Sequence, residues 1–156
     1  TPNNVGTVRK INTVLFPVRY SEKFYLQILE ESLSDFCKLI FFNDLPVGAV
    51  CCGMDLPQSQ QRESYVYIMT LGVLAPYRRR GLATKLLDHV IQEALKMHLP
   101  KLTSVYVHVQ FGNDDAKTFY ERHGFVVEGE VKDYYRKIEP RDAWILVKQI
   151  TKPVEA

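Results

Sequence analysis

Arg78-Arg79-Arg80-Gly81-Leu82-Ala83-Thr84 stands between a β-rich run ending near Leu74 and an amphipathic stretch beginning near Leu82. A glycine-containing turn at this junction aims free backbone N–H groups, the positive end of a helix and arginine charge at one point. Such a point holds an anion, most readily a pyrophosphate. The stretch is not a Walker loop, which needs Gly-x-x-x-x-Gly-Lys, nor a Gly-x-Gly-x-x-Gly dinucleotide turn. Three arginines could also be a solvated basic turn, so the flanking elements decide the reading.

Ser64 to Leu74 predicts a strand. Leu82, Leu86, Leu87, Val90, Ile91, Ala94 and Leu95 predict the buried face of a helix, and Thr103 to Gln110 a valine-rich strand. Strand, crossover helix and strand form a β-α-β unit with parallel strands. Towards the N-terminus, Val8, Ile11, Leu15 and Phe16 predict a helix that stops before Pro17. Ser21 caps a second helix carrying Phe24, Tyr25, Ile28 and Leu29 and fading by Ser34-Asp35. Phe36 to Phe42 and Val47 to Met54 form a hairpin about Asn43-Asp44-Leu45-Pro46, and Gln58 to Arg62 a polar loop. Beyond the unit, Asp114 to His123 reads as a short helix capped by Asn113, with strands at 124–131 and 143–150. The expected fold is α+β: a mixed sheet with helices on both faces, as a single domain over 1–156. Open sheets of this kind bind ligands beside the carboxyl ends of parallel strands, where the arginine loop emerges.

The 156 residues are 46% hydrophobic, enough for one core, and the net charge of +2 makes the arginines a local site rather than a nucleic-acid surface. No apolar run approaches the roughly 20 residues that span a bilayer, and no signal segment is visible. The expectation is a soluble cytoplasmic protein, with the nucleus as a further location, that binds neither nucleic acid nor membrane. Cys37, Cys51 and Cys52 have neither metal spacing nor an even disulfide set and read as reduced core residues.

Alternation puts Val105, Val107 and Val109 on one face of their strand and Ser104, Tyr106, His108 and Gln110 on the other. Tyr65, Tyr67, Met69 and Leu71 alternate likewise, so Tyr67 and His108 can share a face and a hydrogen-bonded water. Histidine titrates near 6.5 and suits a base that takes a proton from an ammonium. A phenol is the poorer base at neutral pH, so the task left to Tyr67 is to hold and polarise the water. His89, His98 and His123, on or at the ends of helices, read as surface residues. Phe16, Pro17, Val18 and Met69 are apolar groups, while Tyr20, Tyr134 and Tyr135 carry hydroxyls that can hydrogen-bond a ligand. All of them could instead be ordinary packing.

Arg78-x-x-Gly81-x-Ala83 resembles the acetyl-CoA pyrophosphate loop of the GNAT N-acetyltransferases. Asn113-x-x-Ala116-x-x-Phe119-Tyr120, followed by Gly124-Phe125, resembles that family's second signature. Phe16-Pro17-Val18-x-Tyr20, Tyr67 to Gly72, Ala75 to Arg79, His108-Val109-Gln110 and Tyr134-Tyr135-x-x-Ile138-Glu139-Pro140 extend the likeness, over nearly the whole chain, to NatE-type N-terminal acetyltransferases. The resemblance implies acetyl transfer from acetyl-CoA, without a metal, to the α-amine of peptides that chiefly begin with methionine. It implies cosubstrate contacts from Leu71, Val73, Arg78, Arg79, Arg80, Gly81, Leu82, Ala83, Thr84, Asn113 and Tyr120. Tyr67 and His108 are implied to act through water, and Tyr120 to protonate the departing thiolate. Phe16, Pro17, Val18, Tyr20, Met69, Tyr134, Tyr135 and Ile138 are implied to close over the peptide, with the NatA catalytic and auxiliary subunits and the ribosome as partners. Departures are Ala83 at the last small position, Asp114 where glutamate is common, and a long polar Gln58–Glu63 stretch. A lysine or small-amine acetyltransferase and a non-catalytic CoA-binding subunit are the competing readings.

Overall fold

The computed structural model describes residues 4–16, 18–55, 64–97 and 102–150. In chain order the elements are helices α1 (Val5–Leu15) and α2 (Glu22–Gln27), strands β1 (Lys38–Phe42), β2 (Leu45–Asp55) and β3 (Ser64–Val73), helix α3 (Leu82–Lys96), strand β4 (Leu102–Gln110), helix α4 (Asp114–Arg122), and strands β5 (Val126–Val131) and β6 (Ala143–Gln149). The strands form a mixed sheet, flanked by helices, in the order β1-β2-β3-β4-β6-β5. The chain divides into two compact units, Thr1–Gly53 with Ile68–Lys96 and Met54–Tyr67 with Met97–Ala156. The Gln58–Arg62 loop and His98 lie outside the described residues.

In the first unit, α1 buries Val8 and Ile11 one helical turn apart. Ser21 caps α2 by accepting a 3.3 Å hydrogen bond from the Phe24 N–H, with Glu22 in the first turn. The second helix ends at Gln27, well before the expected Ser34-Asp35. Glu30 turns extended (φ −59°, ψ 136°) and a single 3-10 turn at Glu31–Leu33 follows. This break buries Leu33 and Phe36 to 3% and 2% exposure, which outweighs the propensity to continue a short helix.

The β1–β2 hairpin is antiparallel as expected, but its turn is tighter. Asn43 (φ 49°) and Asp44 (φ 65°) both adopt the left-handed conformation typical of two-residue hairpin turns. Pro46 therefore lies inside β2, opposite Phe41 and beside a register shift, where a missing N–H is tolerated. A Cβ on Gly48 would stand 2.8 Å from the Gly72 carbonyl oxygen, so glycine here permits close backbone approach. Helix α3 buries Leu82, Leu86, Leu87, Val90 and Ala94, the stripe its periodicity predicts. Cys51 and Cys52 are buried, and desolvation pushes the Cys51 thiol up to about 12 and raises that of Cys52, so both stay protonated.

The second unit pairs β6 antiparallel with both β4 and β5, setting Val107 opposite Leu146, His108 opposite Ile145 and Val109 opposite Trp144. Val105, Val107 and Val109 are buried. Trp144 stacks on Phe111 with centroids 4.6 Å apart. Asn113 caps α4 as predicted, its Oδ1 accepting from the Ala116 N–H at 3.3 Å. His89 and His123 are not the free surface residues expected. Both are partly buried, and each ring lies 2.8 Å from a backbone carbonyl oxygen, His89 from that of Asp35 and His123 from that of Phe119. Among the described residues no helix is long and apolar enough to cross a membrane.

Candidate active site

Strand alternation leaves Tyr65, Tyr67, Met69 and Leu71 of β3 partly exposed while Ser64, Val66, Ile68 and Thr70 are buried. The same rule on β4 turns Tyr106, His108 and Gln110 away from the valine core. In the second unit the consequence is a ladder of rings. Tyr67 stacks on Tyr106 (5.6 Å between centroids, 25° between planes), and Tyr106 meets His108 edge-on at 5.9 Å. His108 lies flat on Tyr134 at 4.3 Å and 3°, and Tyr135 stands perpendicular to Tyr134 at 5.0 Å. Tyr134 follows the end of β5 in a turn closed by the Asp133 N–H donating to Asp142 Oδ1 at 3.0 Å and the Tyr135 N–H to the Arg141 carbonyl at 2.9 Å.

The ladder sets the protonation of its members. Partial burial lowers the His108 pKa below the ordinary 6.5, because desolvation penalises the imidazolium. Burial, with Asp55, Tyr67 and Tyr134 nearby, pushes Tyr106 up to about 12; burial and Tyr134 do the same to Tyr135, and burial with Tyr67 raises Tyr134. At neutral pH the site is thus a neutral imidazole among protonated phenols: a competent proton acceptor framed by hydroxyl donors.

In the first unit, the Arg78–Gly81 loop leads into α3. The Arg78 Nε donates to the Val73 carbonyl at 3.0 Å, and the Arg80 guanidinium lies 4.8 Å from the centre of the Phe42 ring. Arg79 (φ 65°) and Gly81 (φ 75°) are left-handed, a backbone in which successive amides can point towards one anion. No acidic residue occupies the first turn of α3, so no carboxylate there offsets the positive end of its dipole. The chemistry fits a pyrophosphate. Leu82 and Val73 have buried side chains, so only their backbone can face a ligand. The Leu74 N–H is committed to the Val47 carbonyl at 2.8 Å, so it is not free to bond a ligand.

Phe16, Val18 and Tyr20 line a cavity of about 560 Å³ in the first unit. Tyr20 stacks on Phe24 at 4.6 Å, and Tyr20 and Met69 both pack on a core of Val8, Tyr25, Ile28 and Cys51. A Cβ on Gly72 would meet Leu15 Cδ1 at 2.7 Å and Phe16 Cζ at 3.2 Å, so glycine there makes room for the end of α1. Pro17 lies outside the described residues.

The sequence model of the acetyltransferase (GNAT) family matches residues 6–125 of this chain. The chain belongs to the GNAT acetyltransferase family. It is 45% identical over 153 residues to N-alpha-acetyltransferase 50 of Danio rerio, covering 98% of this chain and 87% of that protein. It is 43% identical to the probable N-acetyltransferase san of Drosophila melanogaster over 96% of this chain and 78% of that one. Among solved structures, Arabidopsis thaliana Naa50 in complex with the bisubstrate analogue CoA-Ac-MVNAL superposes with a TM-score of 0.83 at 39% identity, covering 95% of this chain and 93% of that chain.

Within this GNAT fold, Tyr67, His108, Tyr134 and Tyr135 are brought together, as are Phe16, Val18 and Tyr20. Ile138 is partly exposed beyond the ladder. Tyr120 is 5% exposed, with its ring 5.2 Å from that of Phe125 and its carbonyl accepting from the Phe125 N–H at 3.0 Å. Asn113 spends its side-chain oxygen on the α4 cap. Sequence reasoning gave Tyr106 no role, yet its ring contacts both Tyr67 and His108. The signal was present, since alternation had already put Tyr106 on the face of His108. Among the described residues no cluster of three or more His, Cys, Asp or Glu could hold a metal ion.

Proposed function

We propose that this GNAT domain is an N-alpha-acetyltransferase that moves acetyl from acetyl-CoA to the α-amine of peptides beginning chiefly with methionine. The observation that carries the reading is the neutral His108 held flat against Tyr134 in a ladder of phenols, in a chain 45% identical to an N-alpha-acetyltransferase. Acetyl-CoA supplies the thioester, and its pyrophosphate is held by the Arg78–Gly81 loop and the first-turn amides of Leu82, Ala83 and Thr84. Tyr67 and His108 order a water that relays the ammonium proton to the imidazole. The freed amine attacks the thioester directly, and no covalent enzyme intermediate forms. Tyr120 is the assigned donor to the leaving thiolate, help that is modest because a thiol has a reference pKa near 8.5.

Phe16, Val18, Tyr20 and Met69 surround the first residue, and Tyr134 and Tyr135 hold the peptide backbone. The reading extends to a cytoplasmic and nuclear location and to association with the NatA subunits at the ribosome; support for both is the family likeness, and co-sedimentation with ribosomes tests the second. The activity is tested by initial rates on free-N-terminal Met-Leu, Met-Lys, Ser and acidic-start peptides, against N-blocked peptides with a free lysine. Preference for methionine starts is expected, and faster transfer to blocked lysine peptides would overturn the reading.

A further inference from the structure

The first-unit cavity walled by Arg9, Asn12, Phe16, Val18, Arg19 and Tyr20 has, among the described residues, two cations and no acidic side chain in its wall. The two cations differ. Arg9 forks onto Glu22, with N···O distances of 2.5 and 3.0 Å, and lies 4.3 Å from the centre of the Tyr25 ring, so its charge is offset within the fold. Arg19 is exposed and has no hydrogen-bond or ion-pair partner among the described residues. Asn12 is 1% exposed and its Nδ2 is closed off from solvent, so it adds no donor to the cavity. The polar group it faces is the Cys51 thiol, a weak acceptor. The wall therefore offers an uncommitted cation, and its described residues include no carboxylate to satisfy it.

We propose that this cavity is an anionic side-chain subsite, which takes the carboxylate of an Asp or Glu within the first four residues of the peptide substrate, with Arg19 as the selecting charge. The inference rests on the N-terminal acetylation reading above. Phe16, Val18 and Tyr20, assigned there to the substrate, share this wall, so a peptide held against them brings its following side chains to Arg19. About 560 Å³ accommodates such a side chain with its flanking backbone. A lysine at the same substrate position meets like charge and is disfavoured.

The test is the acetylation rate of free-N-terminal methionine peptides in which glutamate or glutamine is walked through positions two, three and four. Wild type, Arg19→Gln and Arg19→Glu are compared at low and moderate salt. At one position kcat/KM for glutamate should exceed that for glutamine by roughly threefold to tenfold in the wild type. The ratio should shrink with added salt, fall to about one in Arg19→Gln and invert in Arg19→Glu. A ratio of one at all three wild-type positions, or a preference that survives Arg19→Gln, overturns the subsite and leaves N-terminal acetylation standing. Transfer to none of the peptides overturns the N-terminal reading and the subsite with it.

Discussion

The arginine loop of the first unit and the aromatic ladder of the second present opposite kinds of surface to a ligand. Arg78, Arg79 and Arg80 are exposed cations beside a helix N-terminus with no acid in its first turn. Tyr67, Tyr106, His108 and Tyr134 are ring planes fixed by one another, and the imidazole among them is neutral. Charge that reaches into water attracts and retains a polyanion but cannot set a proton-transfer geometry. Rings pressed face to face hold a base in one orientation but attract no anion. Substitutions in the loop should therefore move KM for acetyl-CoA, and substitutions in the ladder should move kcat.

The largest expected effect is in the ladder. His108→Ala should lower kcat by about 100-fold or more while KM for acetyl-CoA stays within about twofold. An equal rise in that KM would break the division between the regions. Next, Arg78→Ala should raise KM for acetyl-CoA about tenfold, the worth of a charge-assisted contact. A fall in kcat with unchanged KM would move Arg78 into the chemistry. Tyr134→Leu, which removes the stack on His108, should lower kcat/KM for peptide several-fold, about 1 kcal/mol of aromatic packing. Tyr134→Phe should retain most of the rate if the stack matters more than the hydroxyl, and steady-state kinetics on the pair separates the two contributions.

Acid inactivation sharpens the same contrast. Falling pH protonates His108, but burial opposes the imidazolium, so the acid limb of kcat/KM should lie below the ordinary histidine value of about 6.5. The same depression removes stability as pH falls from 6.5 through the folded pKa, since the unfolded chain takes up that proton first. Tyr106 and Tyr135, at about 12, should add no alkaline limb below pH ~10. The smallest effect is expected at Asn113→Ala, which removes the α4 cap at a cost of about 1 kcal/mol, measurable as a fall in melting temperature of a few degrees.

What the sequence made legible was local. The Ser21 and Asn113 caps, the α3 stripe and the valine face of β4 each depend on residues within one or two turns or strand repeats. The end of α2 was misread because Leu29 and Leu33 continue a helical spacing while the burial of Leu33 and Phe36, a tertiary effect, decides the break. Pro46 reads from sequence as part of the turn because nothing in its neighbours announces a register shift. Alternation placed Tyr106 and His108 on one face. That Tyr134 would arrive from the turn after β5 to lie on His108 depends on the β5–β6 and β4–β6 registers, which no local pattern encodes. Arg19 was legible only as an unspecified letter in a motif, until the wall around it was seen to lack an acid.

Trp144 stacks on Phe111 and has the Lys117 ammonium 5.3 Å from its ring centre. It is the single tryptophan of the chain and belongs to the second unit. Its fluorescence is therefore a built-in optical reporter of that unit, untouched by chromophores of the same kind in the first. A denaturation curve followed by tryptophan emission, overlaid on one followed by far-ultraviolet dichroism, will register whether the unit that carries the base melts together with the unit that carries the arginine loop.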